Sequence, residues 1–214
     1  MRKAFVEELC LAAERNSDIW LLTGDLGFSV LDPFVEGFGE RFINVGVAEQ
    51  NMMGMAAGLA LSGKRVVTYS IVNFATLRCL EQIRNDVVYH GLNVLIVGVG
   101  GGFAYGAQGY THHGIEDISV MRGLGDIEIM SPADDFEVRN TARYALDLDG
   151  PAYLRLGKGG EAAVHPNGEA LSRGRFARLK DDGECLILAT GELVAEAMEA
   201  AELLATQGIE AAVW

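Results

Sequence analysis

One acidic residue stands in a sequence context that could support proton transfer. Glu49 follows a short apolar stretch and opens a helix rich in alanine and glycine. A carboxylate in the first helical turn gains up to ~1 kcal/mol from the helix dipole, whereas burial next to Met52, Met53 and Met55 would raise its pKa. A dry carboxyl group of raised pKa can share a proton with a weak base. The alternative is a structural acid that only stabilises the helix terminus.

A second candidate stretch is a glycine-rich segment, residues 99–117, which we call the glycine loop. Its five glycines between positions 100 and 109 predict that no regular element forms and that the backbone can approach a ligand closely. Long loops inside compact domains are usually functional. No Gly-Lys-Ser/Thr follows, which excludes a phosphate loop. Its two histidines, His112 and His113, are neighbours on an extended segment and would point apart, which argues against zinc.

The motif around Glu49 resembles a known family. Residues 46–52 read Gly-Val-Ala-Glu-Gln-Asn-Met, and together with the small-residue helix they resemble the pyrimidine-binding domain of the transketolase family of thiamine diphosphate enzymes. The resemblance implies that Glu49 is catalytic and hydrogen-bonds N1′ of the aminopyrimidine. The imino tautomer formed in this way would remove the thiazolium C2 proton.

The resemblance extends to a turn at residues 70–74, Ser-Ile-Val-Asn-Phe. It implies that Phe74 stacks on the aminopyrimidine and that Ile71 contributes to the cofactor pocket. Ile71 and Leu77 stand where transketolases often carry aromatics, so the pocket would stay apolar but lose ring contacts of ~1 kcal/mol each. Plain core packing is the alternative for Phe74. Asp25 follows a short strand, where it could face the cofactor or a partner, or act as a turn acid.

Substrate contacts are implied by two further matches. Residues 109–116, Gly-Tyr-Thr-His-His-Gly-Ile-Glu, are similar to a transketolase motif whose histidine faces the donor, which assigns His112 an acid, base or hydrogen-bonding role. His113 lies at a variable position of that motif and is a further candidate for substrate binding. Gln108 replaces a donor-reading aspartate, and residues 100–102 lack a family histidine, so donor recognition should differ. Lys158 matches a basic residue that binds the substrate phosphate, although a solvated loop lysine is the alternative.

Helical and strand patterns alternate through residues 1–160. They predict an α/β domain with a mostly parallel six-stranded sheet and helices on both faces, which the resemblance identifies as the pyrimidine module of the thiamine diphosphate-binding fold. Within it, residues 71–89 should form one long amphipathic helix. Residues 161–183 have linker composition. Residues 184–214 should form a βαβ unit that resembles an incomplete start of the transketolase C-terminal domain.

Composition narrows the function classes. The chain has 214 residues, a net charge of −13 and a pI near 4.7, which argues against nucleic acid as a partner. No apolar run reaches the ~20 residues of a membrane helix, so we expect no membrane partner and a cytoplasmic location. Three widely spaced cysteines predict reduced, buried thiols.

The cofactor and the partner follow from the resemblance. The family holds the diphosphate through Mg²⁺ with a Gly-Asp-Gly motif on an N-terminal domain, and this sequence contains no such motif. We therefore expect the C-terminal subunit of a split transketolase, with no metal site of its own, that shares thiamine diphosphate with an N-terminal diphosphate-binding subunit, homodimerises, and acts on ketose and aldose substrates. The alternatives are the β subunit of a 2-oxo acid dehydrogenase, a 1-deoxyxylulose-5-phosphate synthase-like carboligase, or a non-catalytic partner of the same fold.

Overall fold

The computed structural model describes residues 1–165 and 172–214. The larger sheet contains β1 (Ile19–Thr23), β2 (Phe42–Asn44), β3 (Arg65–Ile71), β4 (Val94–Val99), β5 (Glu128–Met130) and β6 (Ala152–Leu156). The helices of the same region are α1 (Arg2–Arg15), α2 (Asp32–Phe38), α3 (Glu49–Leu61), α4 (Val72–Ala75), α5 (Leu80–Gln82), α6 (Asp117–Arg122) and α7 (Asp135–Asp147).

The six strands run in the order β2-β1-β3-β4-β6-β5, and every neighbouring pair is parallel. Parallel strands need crossover connections, which the helices provide. The carboxyl ends of β1, β3 and β4 therefore lie at one edge, where ligands bind in open α/β sheets. The predicted fold class is confirmed.

Alternating side chains of the central strand divide the core into two layers. On β4, Leu95 and Val97 belong to the cluster formed with α1, α2 and α7, whereas Val94 and Ile96 belong to the cluster formed with α3 and the segment after β3. A strand that is buried on both faces needs apolar residues at every position, and all six of its residues are buried. Helices cover both faces of the sheet, as predicted.

The predicted long helix at residues 71–89 is wrong. The segment is instead divided into α4, a 3₁₀ turn (Leu77–Cys79), α5 and a π-helical stretch (Ile83–Val88). The break falls at Thr76, whose φ of −115° and ψ of −76° depart from helical values. Its Oγ1 donates to the carbonyl of Val72 at 2.7 Å, a local bond that competes with regular helix geometry.

The C-terminal part forms the predicted βαβ unit. Strands β7 (Cys185–Ile187) and β8 (Ala211–Val213) pair in parallel, and helix α8 (Leu193–Ala205) connects them. The domain boundaries at 160 and 183 stay a prediction, and residues 166–171 of the predicted linker lie outside the described residues. The neighbouring His165 is buried against α7, where its backbone N–H donates to Asp134 Oδ2.

The cysteines differ in their surroundings. All three are free thiols, and Cys79 is buried as predicted. The prediction of a buried residue is wrong for Cys185, which is exposed, and Cys10 is half-buried. Across the two described ranges, every helix is too short or too polar to cross a bilayer.

Candidate active site

Glu49 lies where β2 passes into α3, and its side chain is only 2% exposed. It approaches the end of β1 so closely that a Cβ on Gly24 would lie 3.2 Å from Glu49 Cγ. The carboxylate accepts a hydrogen bond from Arg78 Nη1 at 2.7 Å. A glycine at position 24 thus lets main chain rather than a side chain form one wall around the acid.

The thiol of Cys79 is buried next to this carboxylate. Removal from water raises the pKa of Cys79 to about 12, and the negative charge of Glu49 adds to the effect. The Sγ of Cys79 donates to the carbonyl of Phe74. The surroundings of Glu49 are therefore dry, as the methionines of α3 predict.

Aromatic rings connect this acid to the glycine loop. The guanidinium of Arg78 lies 4.1 Å from the ring centroid of Phe74, and the ring of Phe74 meets that of His112 edge-on at 5.1 Å. The ring centroid of Tyr105 lies 5.8 Å from that of His112, and Lys158 Nζ lies 4.7 Å from the centroid of Tyr105. The structure brings Phe74, His112 and Lys158 into one row that has a cation at each end.

The base of the glycine loop is fixed by a buried ion pair. Asp117 Oδ2 accepts from Arg155 Nε at 2.9 Å and from the hydroxyl of Tyr153 at 2.6 Å. Arg155 Nη2 donates to the carbonyl of Gly114 at 3.0 Å. A Cβ on Gly101 would lie 2.1 Å from the guanidinium carbon of Arg155, so only glycine fits beside it.

The tip of the loop is held mainly through its backbone. Asn73 Nδ2 donates to the carbonyl of His113 at 2.8 Å and to that of Thr111 at 3.2 Å. The ring of His113 bonds to the carbonyl of Gly106 at 2.9 Å, inside the loop, whereas His112 Nδ1 is paired with Thr111 Oγ1 at 3.0 Å. His112 therefore contacts the aromatic row, while His113 stabilises the loop itself.

Three other predicted residues have less specific surroundings. Gln108 is exposed at the end of a 3₁₀ turn (Gly106–Gln108), so the prediction of no regular element between residues 100 and 109 is wrong for that single turn. Ile71 is half-buried at the end of β3. Asp25 is exposed with φ of 57°, and its carboxylate accepts from Asn44 Nδ2 at 3.1 Å. This contact is that of a turn acid, and a cofactor contact of Asp25 stays a prediction.

Sequence reasoning missed several contributors to the site. Arg78 lies four positions after Phe74, a spacing that places two helical side chains on one face and could have indicated their contact. Tyr105, Asn73 and the pair of Asp117 and Arg155 are separated by long stretches of chain, and no local spacing pattern connects them.

Comparisons with known proteins identify the family of this chain. Residues 1–160 match the family described as transketolase, pyrimidine binding domain. An apulose-4-phosphate transketolase subunit of Actinobacillus succinogenes is 37% identical over 209 residues, which are 97% of this chain and 67% of the relative. The 6-deoxy-6-sulfo-D-fructose transketolase subunit of a Clostridium species is 38% identical over 214 residues, 100% of this chain and 66% of the relative.

More distant and structural relatives extend the match. The 1-deoxy-D-xylulose-5-phosphate synthase of Magnetococcus marinus is 36% identical, with 99% of this chain matched to 34% of that protein. A solved structure described as a split gene transketolase, inactive beta4 tetramer, superposes with a TM-score of 0.88 at 37% identity and covers 99% of this chain and 69% of its own. The chain spans about two thirds of the length of its subunit-sized relatives. The family match over residues 1–160 and the relatives that match nearly the whole chain show that it belongs to the transketolase family and carries its pyrimidine-binding domain.

Proposed function

We propose that this chain is the pyrimidine-domain subunit of a split transketolase-like enzyme, which transfers a two-carbon ketol unit between sugar phosphates with thiamine diphosphate. The observation that carries the proposal is the buried carboxylate of Glu49, only 2% exposed at the carboxyl edge of the sheet and linked through Arg78 to the ring of Phe74. A buried acid next to an aromatic face is the pair of contacts that an aminopyrimidine ring requires.

The residues present fit that ring. The planar guanidinium of Arg78 bonds the carboxylate of Glu49 and lies over the ring of Phe74 at the same time. The acid and the aromatic face are therefore placed so that one flat group can contact both. Glu49 would share a proton with N1′ of the ring, which is an acceptor in the aminopyrimidine form, and Phe74 would offer its face. When bound, thiamine diphosphate supplies the nucleophilic thiazolium carbon.

The remaining residues of the row act on the substrate in this proposal. His112 would donate to, or accept a proton from, the carbonyl or hydroxyl oxygens of the ketose. Lys158, exposed beyond Tyr105, would bind a phosphate or another anionic end of the substrate as a point charge. A chain of net charge −13 needs such a local cation to attract an anionic sugar.

Partner dependence is part of the same proposal. We assign the diphosphate and Mg²⁺ to an N-terminal transketolase subunit, and a homodimer of this chain would form the centre of the assembly. Relatives named as transketolase subunits and a solved structure described as a split gene transketolase, each matched over about two thirds of its length, support this division. The cytoplasmic location stays a prediction.

A decarboxylating carboligase is the second candidate. Identity of 36% with a 1-deoxy-D-xylulose-5-phosphate synthase favours it, and so does Gln108 in place of the donor-reading aspartate. In that enzyme class the donor is a 2-oxo acid, so the identity of the donor separates the two candidates.

Reconstitution tests the function. The chain and its candidate N-terminal subunit are assayed separately and mixed, with thiamine diphosphate and Mg²⁺, against ketose phosphates, the apulose and sulfofructose donors named for the relatives, and pyruvate. We expect ketol transfer from a ketose only in the mixture. Turnover by this chain alone would contradict the split, and turnover of pyruvate alone would favour the second candidate.

Glu49→Gln separates catalysis from a structural role. The amide keeps the size of the side chain but cannot take up the proton, so kcat of the mixture should fall by about 10²-fold to 10⁴-fold. Glu81→Gln is the matched control, because Glu81 is an exposed acid of the same region. Full activity of Glu49→Gln would favour the non-catalytic alternative.

A further inference from the structure

Arg78 makes two contacts that a bound aminopyrimidine ring would make. Its Nη1 donates to Glu49 Oε2 at 2.7 Å, and its guanidinium lies 4.1 Å from the centroid of Phe74. Both groups are flat and conjugated and can stack on an aromatic face while they bond the carboxyl group of Glu49, the guanidinium by donating an N–H and the ring by sharing a proton through N1′. The arginine and the ring therefore compete for the same acid and the same aromatic face.

Charge balance explains why a cation lies there. Glu49 is 2% exposed, and a buried carboxylate without a partner is strongly destabilising. The other neighbours described above, Gly24 and Cys79, offer it no positive charge. Arg78 provides that charge as long as nothing else bonds to the carboxylate.

The arginine can also leave without unfolding the domain. Its side chain is 41% exposed, so it can reach water, and it belongs to the short 3₁₀ turn after the break at Thr76. Arg155 offers the opposite case: it is 16% exposed and bonds both Asp117 and the carbonyl of Gly114. One arginine of the site is a fixed part of the fold, and the other is removable.

We propose that Arg78 is a positioning residue that takes the place of the aminopyrimidine ring in the unassembled subunit, where it pairs with Glu49 and orients it, and that it withdraws when the ring binds. The inference rests on the proposed function, since it requires that Glu49 and Phe74 receive that ring. It adds a cost to cofactor binding, because the ion pair must break first.

The first experiment uses the full chain without cofactor. Arg78→Met is compared with wild type in urea denaturation, and again in a Glu49→Gln background. We expect the substitution to lower the urea midpoint in the wild-type background and to leave it nearly unchanged when residue 49 is uncharged. Equal losses in both backgrounds would overturn the ion-pair step.

The second experiment measures cofactor affinity in the complex with the N-terminal subunit. Thiamine diphosphate is titrated at fixed Mg²⁺ and followed by circular dichroism, which requires no turnover. Arg78→Met should bind the cofactor about threefold to tenfold more tightly than wild type, because no ion pair has to break. Arg78→Lys, which keeps the charge but lacks the flat face, should lie between them and serves if the methionine variant does not fold.

Arg84→Met is the matched control, since Arg84 is an exposed arginine of the same segment that bonds only the neighbouring Asn85 side chain among the described contacts. The Arg84→Met complex should bind thiamine diphosphate with the same affinity as the wild-type complex. If wild type binds the cofactor and Arg78→Met binds equally or more weakly, the placeholder role is overturned while the proposed function stands. If the wild-type complex binds no thiamine diphosphate, the proposed function itself fails and this inference fails with it.

Discussion

Glu49 and His112 are the two side chains proposed to handle protons, and the molecule holds them in opposite ways. Glu49 is buried at a junction of regular elements, next to a thiol whose pKa burial raises to about 12. His112 is half-buried on a glycine-rich loop, and the pKa of nearby Tyr110 is raised mainly by its hydrogen bond to Glu116 and by the charge of that residue. The position of the acid depends on exclusion of water. The position of the histidine depends on the buried ion pair of Asp117 and Arg155 at the base of its loop, which we call the clamp.

Breaking the clamp should have the largest effect on stability. Asp117→Ala leaves Arg155, which is 16% exposed, without its counter-charge, and should lower the free energy of unfolding by about 3–5 kcal/mol. Urea denaturation measures it. Glu116→Ala is the control, because among the described residues the side chain of Glu116 bonds only the exposed hydroxyl of Tyr110, and its loss should cost far less. Equal losses would mean that the clamp does not fix the loop.

Removing the histidine should affect turnover and leave the fold intact. His112→Ala should lower kcat/KM of the reconstituted enzyme about 10²-fold, or about 2.7 kcal/mol in transition-state free energy. His113→Ala is the comparison, since its ring bonds Gly106 inside the loop and should affect turnover less. If both variants lose activity equally, loop conformation rather than His112 is responsible.

A single methyl group at the base of the loop tests how closely the clamp fits. Gly101→Ala would place Cβ 2.1 Å from the guanidinium carbon of Arg155, and such overpacking should cost about 1–3 kcal/mol in thermal or urea denaturation. Gly54→Ala is the control, because a Cβ there meets no atom of the described residues within 4 Å, and a helical alanine should raise stability by up to about 1 kcal/mol. If Gly101→Ala leaves the stability unchanged, the side chain of Arg155 moves freely.

The dryness around Glu49 should appear as alkaline sensitivity. The pKa of Cys79 rises from 9.0 to about 12 on folding, mainly through burial. The unfolded chain then releases this proton first, so stability is complete below pH 9 and declines as pH rises towards 12. At pH 10 the loss from this thiol is up to about 1.4 kcal/mol. Cys79→Ala should flatten the dependence of the urea midpoint on pH above 9, and an unchanged slope would contradict a dry site.

The sequence predicts the acid better than the loop, for physical reasons. Strand and helix periodicity, the small residues of α3 and the methionines after Glu49 are local signals, and the parallel sheet and the buried carboxylate follow from them. The break at Thr76 depends on one hydroxyl bond to Val72, which periodicity does not register. Periodicity alone therefore predicts one helix over residues 71–89, where the structure has several short ones.

The clamp is non-local in a stronger sense. Asp117 and Arg155 are 38 positions apart. Asp117 opens α6 at the end of the glycine loop, which starts from β4, and Arg155 lies on β6, the neighbour of β4 in the sheet. The spacing of Arg78 could have indicated its contact with Phe74, but its interaction with Glu49 depends on the way α3 packs against the segment after β3. In both cases the partner of a charged residue is fixed by topology rather than by spacing.

Gly24 has a practical consequence for redesign. The carboxylate of Glu49 is placed by the main chain at the end of β1, which leaves little room for a Cβ. Substitutions at exposed positions of the site, such as Gln108, should therefore leave the acid in its position, provided that the junction of β1, β2 and α3 is retained.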